Sequence, residues 1–326
     1  NYQDISFNFG PTLLSWMELY DKDAYEAVIM ADMKSRQRFG GHGNALAQVY
    51  NHIIMPLATP RDRNTQIIWG IADFEKRFNR KPEGMWLAET AVDTATLELL
   101  AQHNILFTIL APRQAKAFRK LNDDQWQTIN ENQLDTAIPY AYKLPSGRTI
   151  ALFFYNGQIS REVAFNGLLN SGKLFADRLI VATRDTEQPQ LIHIATDGES
   201  YGHHHYRGDM ALASCIDYLK KNKSVTLTNY GEFLAKFPPQ YEIQIHENSS
   251  WSCVHGVERW RSNCGCSDGG NPGFHQQWRA PLRNALNWLK EKADVVFETE
   301  MLPFTPSPWD LRNHYIDIVN NRTESV

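Results

Sequence analysis

The sequence predicts an α/β fold built on a parallel sheet that is buried on both faces. Three observations carry this. Short apolar runs alternate with stretches of helical spacing along most of the chain. The runs are apolar throughout, as strands covered on both sides must be. Several of them stop on a polar residue and a small one, where sheets of this kind place their ligands.

The elements follow in order. Ile5, Phe7 and Phe9 alternate with Ser6 and Asn8, a strand pattern at the very start. Residues 24–39 have helical spacing through Val28, Met30 and Met33 and stop at Gly40-Gly41. Residues 45–50 read as a short strand, 64–78 as an amphipathic helix, and 84–89 as an apolar strand that ends on Glu89. A helix over 95–103 leads into a wholly apolar strand, 105–110, closed by Pro112. Residues 136–142 and 148–155, joined at Pro145-Ser146-Gly147, read as a hairpin. Then come a helix over 174–183, a strand over 191–196 ending at Asp197, a helix over 209–222, a strand over 225–227 and a helix over 230–237. A long helix over 276–293 would carry Trp278, Leu282, Leu286 and Leu289 on one face.

Composition narrows the function. The 326 residues hold 33 Lys and Arg against 37 Asp and Glu, a formal net charge of −4. A nucleic-acid or anionic-membrane binder would show a basic excess. No apolar run approaches the length of roughly 18–20 residues that a membrane span needs. Aromatic residues make up 12% of the chain, which favours a surface that stacks on ring-shaped ligands. Four cysteines do not make a disulfide framework in a chain of this size. They lean towards a reducing, cytoplasmic compartment.

Two strand ends carry the chemistry. In Gly84-Met85-Trp86-Leu87-Ala88-Glu89-Thr90 a carboxylate closes an apolar strand. In Leu191-Ile192-His193-Ile194-Ala195-Thr196-Asp197-Gly198-Glu199 alternation puts His193, Ala195 and Asp197 on one face, with Gly198 available for a tight turn. Two carboxylates at the mouth of one sheet suit nucleophile and acid/base work on a glycosidic bond. Helix N-capping is the plainer alternative for each.

Here the sequence resembles glycoside hydrolase family 57. Trp86-Leu87-Ala88-Glu89 is similar to the segment that carries the family's glutamate nucleophile. Thr196-Asp197-Gly198-Glu199-Ser200-Tyr201-Gly202 is similar to the one that carries its aspartate acid/base. Val49-Tyr50-Asn51-His52-Ile53-Ile54-Met55-Pro56-Leu57 resembles the motif whose histidine lines a sugar subsite. Ser249-Ser250-Trp251-Ser252-Cys253-Val254-His255-Gly256 resembles, more weakly, a late motif. The segment 249–266 also resembles a bacterial α-amylase/α-mannosidase-like subgroup.

The resemblance implies a (β/α)7-type barrel over residues 1–240, with an active-site loop segment and helical additions over 241–326. It implies a retaining α-glycosidase or transglycosylase of α-linked oligo- or polysaccharides, with Glu89 as nucleophile, Asp197 as acid/base and no cofactor. His52, Trp86, His193, Glu199, His203, Trp251, His255 and Trp260 are the expected sugar-binding residues. The family's opening strand with a His-Gln-Pro motif has no counterpart here, so the chain is expected to be a fragment lacking that strand.

Rival readings stay open. A metal-dependent carbohydrate hydrolase, akin to an α-mannosidase or a deacetylase, would use Asp197, His193 and the His203-His204-His205 run. Three neighbours in sequence point in different directions, however, which suits hydroxyl binding better than one ion. A non-catalytic glucan-binding protein would show no turnover and would keep binding after Glu89→Ala. Cys253, His255, Cys264 and Cys266 form a C-x-H…C-x-C set with zinc-like ligands. A disulfide is a further reading of that set, and free thiols in the Gly-rich loop 263–273 come ahead of both.

Overall fold

The computed structural model describes residues 1–267 and 269–321. Helices α1 (Pro11–Tyr20) and α2 (Lys22–Arg38) precede strand β1 (Ala47–Gln48). Helix α3 (Pro60–Phe78), strand β2 (Met85–Trp86), helix α4 (Thr94–Gln102) and strand β3 (Phe107–Leu110) follow. Next come β4 (Ala115–Lys120), β5 (Gln127–Thr128), β6 (Tyr140–Lys143) and β7 (Thr149–Phe154). Helices α5 (Gly157–Phe165), α6 (Gly172–Val181), α7 (Gly208–Lys221) and α8 (Tyr230–Lys236) lead to β8 (Tyr241–Ile245). The chain closes with α9 (Arg279–Met301), α10 (Pro308–His314) and α11 (Ile316–Asn320).

The chain is α/β, and its centre is a row of parallel strands in chain order. Phe7 bridges Ala45, β1 pairs with β2, Gly84 bridges Phe107, and β3 pairs with β7, every step parallel. Helix α3 shows how local chemistry builds the crossover. Thr59 caps its N-terminus by accepting from the Asp62 amide, Pro60 stands in its first turn, and Asn79 ends it in the left-handed region. Ile67 and Phe74 are buried beneath it. Gly70 lets it close on β1, since a Cβ there would meet the Gln48 carbonyl oxygen at 2.1 Å.

The structure differs from the sequence reading in several places. Among the described residues, the strands form a two-stranded sheet and a six-stranded sheet in the order β3-β7-β6-β8-β4-β5, not closed into a barrel. The 191–196 run is not a strand. The hairpin partner β6 occupies the β7 edge from Thr149 to Leu152. The run is left with end contacts: the Leu191 amide donates to Ala137 O at 2.8 Å and the Asn156 amide to His193 O at 2.8 Å. Residues 225–227 likewise form no strand.

A further difference is α9, which buries no residue. Trp278, Leu282, Leu286 and Leu289 are 49–57% exposed, so the apolar face is real in sequence but is not packed into the core. Helices α9 and α10 meet α3 through polar and cation–ring contacts, while Ile316 of α11 is buried. Arg312 pairs with Asp62 at 2.8 Å, Lys290 pairs with Asp62 at 3.1 Å, and Arg61 and Arg312 stack on the Trp309 ring. Among the described residues no helix is long and apolar enough to cross a membrane.

Candidate active site

Just past β2 the backbone makes an unusual turn. Glu89 (φ 57) and Thr90 (φ 51) both lie in the left-handed region without being glycine, each at a cost of about 1–2 kcal/mol. Gln114, fully buried, holds the turn. Its Oε1 accepts from Thr90 Oγ1 and from the Ala111 amide, both at 2.8 Å. Its Nε2 donates to Thr90 O at 2.8 Å and to Ser249 Oγ at 3.1 Å. The late segment closes the other side. Val92 bridges Ser249, and the Trp251 amide donates to Glu89 O at 3.1 Å. The Trp251 indole Nε1 donates to Glu89 Oε2 at 3.1 Å. The turn is thus held from two directions, and its carboxylate by the Trp251 indole. Gly256 (φ 61) lets this segment fold back, because a Cβ there would meet Asn248 O at 2.0 Å.

Asp197 sits differently. It lies exposed at the end of the 191–196 run, in extended backbone, and opens a one-turn helix over Gly198–Ser200. Gly198 has no positive φ and has open space around it, so the turn does not depend on the glycine as the sequence had implied. The Asp197 carboxyl is held above its ordinary pKa. Partial loss of hydration is the first cause, and the negative charges of Glu199 and Glu89 add to it; His52 and His204 pull the other way. Glu89, Asp197, Glu199, His52 and His204 therefore share one electrostatic neighbourhood.

The other expected site residues divide. Trp86 and Trp251 pack edge to face at 5.2 Å, and Tyr155 packs on Trp251 at 6.1 Å, forming an aromatic wall beside Glu89. His52 (φ 51) is exposed and, with Trp260 and Trp278, lines a cleft of about 870 Å³. Neither Glu89 nor Asp197 lines that cleft; it approaches them through His52. Glu199 and His203 are exposed on the turn, and the His203 and His204 amides both donate to Glu199 O.

His193 faces inward. Its Nδ1 bonds Tyr230 Oη at 2.9 Å and its Nε2 meets Thr136 O at 3.1 Å. Burial drives its pKa down to about 4, so the ring is neutral at pH 7. His205 is likewise engaged, with Nε2 on Ala164 O at 2.8 Å. His255 turns its Nδ1 to the sulfurs of Cys253 and Cys266. None of the four cysteines is in a disulfide; burial pushes the thiol of Cys215, inside α7, up to about 12. Asp268, within the 263–273 loop, lies outside the described residues.

Sequence reasoning missed Gln114, Ser249, Tyr155 and Arg113. The signal for Gln114 was present: it is the first amide side chain after the 105–110 run stops. The buried Arg113 Nε makes no hydrogen bond among the described residues, and the Arg113 and Asp197 charges both bear on Tyr155.

Residues 40–246 match the model of glycosyl hydrolase family 57. The chain belongs to glycosyl hydrolase family 57. Residues 274–326 match a second family, a domain of unknown function (DUF3536). The family 57 chain is similar in fold to an exo-type maltose-forming amylase from Pyrococcus sp. ST04, with a TM-score of 0.75 at 16% identity, over 97% of this chain and 55% of that one. The 4-alpha-glucanotransferase of Thermococcus litoralis gives 0.57 at 19%, over 76% and 37%. A family 57 branching enzyme from Thermococcus kodakaraensis gives 0.57 at 17%, over 76% and 57%. The chain thus spans about half the length of the amylase. No curated relative matches it.

Proposed function

We propose that this family 57 chain is a retaining α-glycosidase or transglycosylase of α-glucan, with Glu89 as nucleophile and Asp197 as general acid/base. The observation that carries the reading is the unequal treatment of two neighbouring carboxylates: Glu89 clamped by Trp251, Asp197 raised in pKa partly by the Glu89 charge. The parallel row from Phe7 to β7 supports reading the fold as most of a (β/α)7-type barrel.

The chemistry runs in two halves. Glu89 attacks the anomeric carbon as the glycosidic C–O bond breaks, and Asp197 gives its proton to the leaving oxygen. A glycosyl ester on Glu89 results. Asp197, now ionised, takes a proton from water or from a sugar hydroxyl, which attacks the ester and frees Glu89. Water gives hydrolysis and a sugar gives transfer. Trp260 and Trp278 offer flat faces for further sugar rings along the cleft. The metal-dependent rival draws no support from geometry, since both ring nitrogens of His193 are engaged within the protein.

The test is an assay of the full chain on maltooligosaccharides, reading new reducing ends and the transfer of a labelled acceptor sugar. Turnover that Glu89→Gln abolishes is expected. Substrate binding without turnover, unchanged in Glu89→Ala, would replace the reading with that of a glucan-binding protein.

A further inference from the structure

The segment that supplies Trp251 to Glu89 continues into a cluster of soft ligands. Cys253 Sγ lies 3.6 Å from His255 Nδ1 and 3.3 Å from Cys266 Sγ, and Cys266 Sγ lies 3.3 Å from His255 Nδ1. With Cys264, the ligand atoms of all four residues fall within 4.8 Å of one another. We infer that Cys253, His255, Cys264 and Cys266 form a structural site for one divalent zinc ion, which closes the 253–266 segment beside the entry of α9.

Three features support a metal over the other fates of these thiols. The first is shape. Tetrahedral zinc with bonds of about 2.3 Å to sulfur and 2.0–2.1 Å to nitrogen requires edges of roughly 3.8 Å between sulfurs and 3.6 Å from sulfur to nitrogen. The three measured edges lie within about half an ångström of those values, whereas a disulfide needs about 2.05 Å. The second is the ligand set: three thiolates and one imidazole make a closed, redox-inert zinc site with no position left for substrate.

The third is the surroundings. The His255 amide donates to Cys253 Sγ at 3.4 Å, and Arg279 Nη1 lies 3.6 Å from Cys264 Sγ. Three thiolates on a divalent ion leave one negative charge, which the Arg279 guanidinium opposes. Gln276 adds a brace, accepting from the Gly265 amide at 3.1 Å and donating to Cys266 O. The consequence is mechanical. Cys253 is two residues beyond Trp251, and Arg279 begins α9, so the ion would hold the segment beside the Glu89 clamp in one shape, and Gln276 and Arg279 would join that segment to the helix that forms one wall of the cleft.

The experiment is elemental analysis of the full chain, purified under reducing conditions without chelator from zinc-supplemented cells, followed by exchange with cobalt. About one zinc per chain is expected. Cobalt should give thiolate-to-metal charge-transfer bands and intense tetrahedral d–d bands. Cys264→Ser and Cys266→Ser should each retain at least tenfold less zinc, and Arg279→Gln should weaken affinity roughly 10- to 100-fold. The wild-type cobalt spectrum decides the matter even if a cysteine variant fails to fold. Wild-type protein with no metal and no cobalt bands overturns the inference, whether its thiols are free or Cys253 and Cys266 are found as a disulfide. Equal zinc in wild type and a folded Cys266→Ser variant overturns it as well.

Discussion

The turn at Glu89 and the turn at Asp197 both end an apolar run on a carboxylate, and the protein treats them in opposite ways. Glu89 sits in two consecutive left-handed residues, braced by the buried Gln114 amide and by the Trp251 indole. Asp197 sits in relaxed extended backbone at an exposed rim, beside a second acid, Glu199. A nucleophile must hold one position through the attack, and strain held by a rigid shell serves that. An acid/base must change protonation twice per turnover, and a group with accessible solvent and adjustable neighbours serves that. On the roles proposed for them, the two environments would divide a labour that two like carboxylates could not divide by chemistry alone.

Removing either carboxylate should break the contrast, with the largest effects. Glu89→Gln is expected to lower kcat on α-glucan by roughly 10⁴-fold or more without loss of fold. Asp197→Asn should cost roughly 10²–10⁴-fold, and less for a glucoside whose leaving group needs no proton; an equal loss on both substrates would deny Asp197 the acid role. Trp251→Phe keeps an aromatic ring and removes the indole donor. A hydrogen bond to a charged group contributes about 1.5–3 kcal/mol, so kcat/KM should fall roughly 10- to 100-fold.

Two smaller effects sharpen the contrast. Gln114→Leu strands several buried polar groups and should destabilise the fold by about 2–4 kcal/mol, seen as a lower thermal midpoint. The matching change on the other turn, Glu199→Gln, should leave the midpoint nearly unchanged and act on pH dependence instead. Glu199 raises the Asp197 pKa, so its acid form persists to higher pH. Without that charge the pKa falls, and the alkaline limb of kcat/KM should move to lower pH. A limb that stays in place would remove Glu199 from the account.

Much of this was legible in the sequence because it is local. An apolar run that stops on an acid marks both Glu89 and Asp197, and the resemblance of three ordered segments to family 57 gave them roles. Helices α2, α3, α4, α6, α7 and α8 followed from spacing and stop residues. What escaped was long-range. Gln114 acts through Ser249, and β4 pairs with β8 from the far side of the fold, so neither partner is visible from its own neighbourhood. Helix α1 escaped although Pro11 opens it. The 191–196 run was over-read because pattern cannot say that β6 already occupies the adjoining edge. His193 was read as facing sugar from strand alternation, yet the side chain turns into Tyr230 and Thr136.

The division of labour is tested most directly by trapping the first half of the reaction. The full chain would be incubated with a fluoro-glucosyl inhibitor that acylates the nucleophile of retaining enzymes, digested, and mapped by mass spectrometry. The account predicts one label, on Glu89, formed in Glu199→Gln as in wild type and absent from Glu89→Gln. A label on Asp197, or a folded and active enzyme that takes no label, would contradict it.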